Sequence, residues 1–330
     1  MTLRMSWVPW VVEAKTTSVG CKTACVDGEL RDQLLLVVSQ DNSCRYCHGV
    51  ARALLQIQGY SRERILALES QLTQAELPRS NRVALEYARR LSRSNPRPGA
   101  REVQDLLDAG HSELSAREVA VFAAMNVFHN LTATLLGAAP DELEEMPRKW
   151  YAPVLTPFVA MILRKRGRPV GPQPFRIEHG DGPHGTVLAA LAGLPAANTL
   201  GEIVNSMWTS TVLPRRTKAM LFGVVARALQ CVSSEREAAS LMRGNGLDDG
   251  QIDEILTTLN APVLSDLEKV LVPFARETVR FRVEAMHRRS HEVLGSLEPA
   301  QAVEAIGVLG LANAITRLSV LSDVPPASGL

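Results

Sequence analysis

The sequence predicts an all-α protein made of two tandem helical repeats, and three observations predict it. Ala, Leu, Arg and Glu dominate, aromatic residues make up 5%, and the alternating β-branched runs typical of strands are almost absent. Apolar residues recur at helical spacing in one segment after another. Sliding the chain against itself by 187 residues also brings many of its features into register without a gap.

Residues 1–28 read as an N-terminal arm. The first repeat, 29–150, opens with "GELRDQLLLVVSQD", which has an apolar face at helical spacing. "CRYCHGVARALLQIQG" closes on Gly59, a residue suited to a helix C-cap. "SRERILALES" starts on a Ser N-cap. "SNRVALEYARRLSRS", "AREVQDLLDAG" and "SAREVAVFAAMNVFHNLTATLLG" follow, the last two stopping at glycine. Residues 151–195 read as a connecting helix and a linker, with the Pro- and Gly-rich run "RKRGRPVGPQPFRIEHGDGPHG" at 164–185. The second repeat, 196–330, carries "LPRRTKAMLFGVVARAL" and "SSEREAASLMRGNG" in the same order. In register, Leu34, Val37 and Val38 meet Leu221, Val224 and Val225, and Cys44 meets Cys231. Gly59 meets Gly246, Ile65 meets Ile252 and Asn126 meets Asn313. One constant offset sustained over roughly 100 residues reads as an old tandem duplication.

Hydrophobic content of 46% with 22% charged residues is that of a soluble globular chain. Thirty-six basic residues against thirty-five acidic leave a net charge of +1, which points to neither a nucleic-acid nor a membrane partner. The longest apolar stretch, "APVLTPFVAMIL" at 152–163, is too short to span a bilayer, and the start of the chain carries no convincing secretory signal. The expectation is a cytoplasmic protein. Five cysteines do not make a disulfide scaffold, and in a reducing compartment a close pair points to a metal or to redox work. Zinc needs about four ligands. The other close pair, Cys21 and Cys25, reads as ordinary thiols on the arm, so no metal or cofactor is expected. His111, His179, His184, His287 and His291 form no ligand constellation. His287 and His291, beside Arg288 and Arg289, read as a solvated basic face.

Cys44 and Cys47 stand at the head of a helix, where residues three apart share a side. Their Cα atoms would be about 5–6 Å apart, within the range of a disulfide. The positive end of the helix dipole favours thiolate there, by around one pKa unit. His48 lies four residues after Cys44 but about 100° round the helix from Cys47, so the spacing pairs it with Cys44. Asp32, on the preceding helix, is placed to orient an imidazole or relay a proton. His129, in "NVFHNL", is a second candidate donor, set against its reading as a core histidine.

These residues resemble the carboxymuconolactone decarboxylase superfamily, and within it the alkylhydroperoxidase D-like proteins. That family shows an acidic residue, eleven intervening residues and then C-x-x-C at a helix head, as Asp32, Cys44 and Cys47 do in "DQLLLVVSQDNSCRYC". "GYS" at 59–61 and the run from Ala84 to Ala133 are similar to its downstream part. The likeness covers about 29–137 strongly and about 216–324 weakly, the latter through the duplication. It implies an all-α fold and an enzyme, a peroxidase-type oxidoreductase that reduces organic hydroperoxides through dithiol–disulfide cycling. It also implies recharging by a lipoyl or thioredoxin-like dithiol, and a homo-oligomer.

The chain departs from the pattern in places. The acidic residue is usually Glu, and the family's catalytic histidine falls here on Ala51. In the second repeat Cys47 becomes Ser234, His48 becomes Glu235 and Asp32 becomes Ala219, so no two-thiol cycle is expected there. By the face argument Cys44 is the better activated thiol, with His48 its base and Cys47 resolving, while the resemblance leaves the order of the two cysteines open. The rival expectations are a scaffold or binding protein that has lost catalysis, and a lactone decarboxylase-like enzyme on the same framework.

Overall fold

The computed structural model describes residues 22–73, 75–139, 144, 149–150, 152–176, 178, 180–280 and 283–323. Cys21, His179 and most of the N-terminal arm lie outside them. Among the described residues the chain is all-α, with a single isolated bridge between Gln173 and Gly193 and no sheet.

The first half comprises α1 (Gly28–Asp41), α2 (Arg45–Ile57), α3 (Arg62–Ser70), α4 (Arg79–Arg93), α5 (Ala100–Asp108) and α6 (Glu113–Leu135). Helices α7 (Ala152–Arg166), α8 (Gly185–Ala190) and α9 (Pro195–Thr209) connect it onward. The second half comprises α10 (Arg215–Ala228), α11 (Val232–Arg243), α12 (Asp249–Thr258), α13 (Asp266–Glu277), α14 (Val283–Gly295) and α15 (Pro299–Leu318), followed by the short α16 (Val320–Asp323). The basic end of the 164–185 run therefore belongs to a helix, α7, and the irregular chain begins at Gly167.

Local chemistry sets the boundaries. Asp27, Ser61 and Ser112 accept the amides of Leu30, Arg64 and Ser115, satisfying donors that the first turn leaves without helical partners. Asp248 with Gln251, and Ser265 with Glu268, form reciprocal capping boxes. Beyond α2 the chain turns at Gly59 with φ +98°, a conformation that favours glycine.

Helices α1, α2, α3 and α4 start at 28, 45, 62 and 79, and α10, α11, α12 and α13 each start 187 residues further on. The left-handed residues recur at the same shift: Ser43 with Gln230, and Gly59 with Gly246. Packing follows the same order. Helix α1 lies against α2, α3, α4 and α6, as α10 lies against α11, α12, α13 and α15.

The two halves meet along α6 and α15. Helix α15 with α16 is long and apolar enough to cross a membrane, but 89% of its most apolar stretch is buried inside the protein. At the seam, a Cβ on Gly310 would stand 2.6 Å from the Phe128 ring, so only glycine admits this approach. Buried polar groups fix the seam's edge. Arg317 Nε donates to the Ser92 carbonyl at 2.9 Å, and its Nη1 donates to the carbonyl and the Oδ1 of Asn313, each at 2.9 Å. Arg97 reaches Asp323 at 2.9 Å and Ser319 Oγ at 2.6 Å.

Two further contacts position the site. The carboxylate of Glu118, buried on α6, accepts the consecutive amides of Ala24, Cys25 and Val26 at 2.5–2.7 Å and so anchors the chain that enters α1. Gly167, just past α7, lies against Gly28 at the start of α1; a Cβ on Gly28 would come within 3.0 Å of the Gly167 Cα.

Gly310→Ala is expected to destabilise the fold by about 1–3 kcal/mol through overpacking, read as a shifted urea midpoint. Adding Phe128→Leu should recover part of that loss; a strictly additive double variant would show that the two residues do not oppose each other.

Candidate functional site

Three helices present stripes of side chains to a cavity of about 130 Å³. Helix α1 brings Arg31, Asp32 and Leu35, and α2 brings Tyr46, Cys47, Val50 and Leu54. Helix α6 brings Phe122, Asn126, His129 and Ala133, spaced along one of its sides, and Leu163 of α7 closes the wall. A space of this size with mostly apolar walls suits a small organic group.

Cys47 faces this cavity and is 6% exposed. Cys44 does not line it. It is the N-cap of α2, with extended backbone angles (φ −78°, ψ 97°), and its sulfur folds back over the helix start to accept the Cys47 amide at 3.5 Å. The Cys47 thiol also hydrogen-bonds to Cys44, and this is the largest influence lowering the Cys44 pKa. Burial opposes it, and the Cys47 amide, the Thr134 hydroxyl and the Tyr46 amide add to the lowering. Neither cysteine is in a disulfide. A sulfur at the head of a helix, ringed by donors, is built to hold negative charge.

Asp32 is 2% exposed. Arg31 Nε donates to Oδ1 at 3.0 Å and Gln58 Nε2 to Oδ2 at 2.5 Å. Burial pushes its carboxyl above the ordinary range, only partly offset by Arg31 and Gln58. His129 is buried, and its Nδ1 donates to the Met125 carbonyl. A carbonyl can only accept, so in the neutral ring the proton sits on Nδ1 and Nε2 carries the lone pair.

His48 stands elsewhere. Its Nε2 is 2.9 Å from Glu69 Oε1, close enough for an ion pair though not aligned as a hydrogen bond, and Arg52 shares that carboxylate at 3.2 Å. Helical spacing would pair His48 with Cys44 only if Cys44 lay within the helix. As the N-cap it has left helical geometry, so its side chain does not point along the i, i+4 direction. Ala51 is buried in the main core away from the cavity wall. The imidazole in the cavity comes from α6 instead.

Sequence reasoning singled out Cys44, Cys47, Asp32 and His129, and passed over Arg31, Asn126 and Gln58. Asn126 and His129 fall on one side of a helix that is apolar almost all round, a pattern legible once burial is known. Cys25 is exposed, and burial and the Glu118 charge raise its thiol pKa. In the second half Cys231 is again an N-cap, surrounded by the hydroxyls of Ser233, Ser234 and Ser319 at 3.0–3.4 Å. His287 and His291 are exposed, and His111 is held by Ser115 and the Ser80 carbonyl. His184, which sequence reasoning set aside, is buried, stacked on Phe222 and beside Trp208, with Nδ1 3.0 Å from Glu237. Among the described residues no group of three or more His, Cys, Asp or Glu could hold a metal ion.

Cys47→Ala should move the Cys44 thiol back up toward the ordinary thiol range, followed as thiolate absorbance against pH, whereas Cys47→Ser keeps a donor and should move it less. A thiol more acidic folded than unfolded stabilises the fold fully above its unfolded pKa, and that contribution is lost as pH falls through the folded pKa. Cys44→Ser should remove this slope from a stability–pH curve. Comparisons with family models, with curated proteins and with solved structures find no match to this chain.

Proposed function

We propose that this chain is a thiol peroxidase of the alkylhydroperoxidase D-like kind in tandem form, reducing organic hydroperoxides through Cys47 and Cys44. One observation carries the reading: Cys47 opens onto a small apolar cavity that also holds Asp32 and His129, while Cys44 waits behind it in hydrogen-bond contact. The recurrence of helix starts at a 187-residue shift supports the tandem form.

The cavity supports an order of roles different from the one that helical spacing suggests. Cys47 is the attacking sulfur, because it is the one that borders the cavity. Its proton leaves toward His129 Nε2 or Asp32, and the thiolate attacks the nearer peroxide oxygen. The S–O bond forms as the O–O bond breaks; the sulfur loses two electrons, and the departing alkoxide takes up the proton as an alcohol. Cys44 thiolate then attacks the Cys47 sulfenic acid, closing the disulfide and expelling hydroxide, which is protonated to water. An external dithiol of the lipoyl or thioredoxin class returns two electrons and two protons by exchange through a mixed disulfide. Ser234 and Ala219 replace the second thiol and the carboxylate in the other half, so that half serves as a packing partner.

Consumption of cumene hydroperoxide in the presence of a dithiol tests this. Cys47→Ser and Cys44→Ser should each abolish sustained turnover, and Cys44→Ser should still allow one sulfenic acid to form per chain. His129→Gln should lower the rate by about 100-fold or more, the usual contribution of a positioned proton acceptor. His48→Gln should leave it near the parent rate. Full turnover in both cysteine variants, or thiols inert to peroxide in the parent, would end the proposal; the second outcome would favour a scaffold.

A further inference from the structure

Helix α7 is apolar on two opposite sides. Ala152, Ala160 and the adjoining Gly167 are buried, and the helix packs on α1 and α2. On the other side Val154, Leu155, Phe158, Met161 and Ile162 recur at helical spacing, with exposures of 78, 44, 59, 56 and 36%. A helix packed on a globular core normally turns a polar stripe outward. This one turns an apolar stripe outward, with the 91% exposed Trp150 ahead of it.

The far end of the same helix is basic. Arg164, Lys165 and Arg168 are exposed, and none of the ion pairs among the described residues involves them. A net charge of +1 for the chain hides this local cluster. Arg164 and Arg168 also border a second hollow of about 360 Å³, which shares Arg31, Asp32 and Leu163 with the Cys47 cavity.

We propose that α7 docks the protein on an anionic phospholipid surface. The Val154–Ile162 stripe enters the acyl boundary, and Arg164, Lys165 and Arg168 lie against the phosphate headgroups. Arg164 also donates to the Gln58 carbonyl at 3.3 Å, a bond that leaves its charge uncompensated. An apolar stripe, an aromatic at one end and cations without a carboxylate partner at the other are the features that hold a helix in a bilayer interface. A second copy of the chain fits the same face less well. Fifteen residues make a strip about 22 Å long and about 10 Å wide, well short of the roughly 800 Å² per partner of a stable interface. Cations at one end would also repel each other across a parallel pairing. This inference is independent of the thiol chemistry, and vesicle binding can be read without any turnover.

Co-sedimentation of the full chain with phosphatidylcholine vesicles, plain or doped with phosphatidylglycerol, tests it. The chain should bind the doped vesicles, bind the plain ones far more weakly, and be released by salt. Phe158→Ser with Met161→Ser, both exposed sites, should cut binding by roughly tenfold or more. Lys165→Glu with Arg168→Glu should cut it by a similar factor and flatten the salt dependence. Absence of binding to doped vesicles, or equal binding by the serine variant, would overturn the proposal. So would a lipid-free dimer that the serine variant converts to monomer, because the stripe would then be covered by a second copy.

Discussion

The contact between α6 and α15 is the constraint from which the rest of the molecule follows. It brings two long apolar helices so close that Gly310 faces the Phe128 ring with no room for a side chain. Helix α6 is thereby sealed on nearly every side, and the polar groups it carries need partners within the protein. Glu118 takes three amides of the chain entering α1, Thr132 donates to the Phe128 carbonyl at 2.7 Å, and His129 is turned by the Met125 carbonyl. A helix fixed by packing thus also fixes the imidazole, the amide and the apolar walls that face Cys47.

The seam and the core of the second half also contain charge where hydrocarbon would be simpler. Arg317 is buried among carbonyl and amide oxygens with no carboxylate of the described residues paired to it, and burial, followed by the nearby Arg280, pushes its pKa down. Lys218 and Glu304 are fully buried and 2.6 Å apart, and Lys218 also donates to the carbonyls of Met207 and Ser210 at the end of α9. Such groups add little net stability, because desolvation opposes their attraction. Their effect is on placement: any shift of α9 or of the seam would strand a donor without an acceptor.

What the sequence made legible was local. Helix ends at Ser61, Ser112 and Gly59 follow from side chains within a few residues of each other, and the 187-residue shift needs only the sequence itself. The cysteine pair, Asp32 and His129 could be picked out by residue type and spacing. What could not be read depends on contacts between distant segments. The Glu118 anchor joins residues more than ninety positions apart. The partner of His48 is Glu69, on a different helix. Helical spacing fails to place His48 because Cys44, as a cap, lies outside the geometry that spacing rules assume.

Two sets of helices whose starts recur 187 residues apart share one polypeptide, and so escape a restriction that binds any homodimer, in which each substitution is made on both sides of the twofold axis. Here Asn130 and Arg317 occupy matching places 187 positions apart, yet Asn130 accepts from Ser39 within its own half while Arg317 reaches across to Ser92. Lopsided bridging of this kind is closed to a symmetric pair of small chains. One side can then carry Asp32, Cys44 and Cys47 where the other carries Ala219, Cys231 and Ser234.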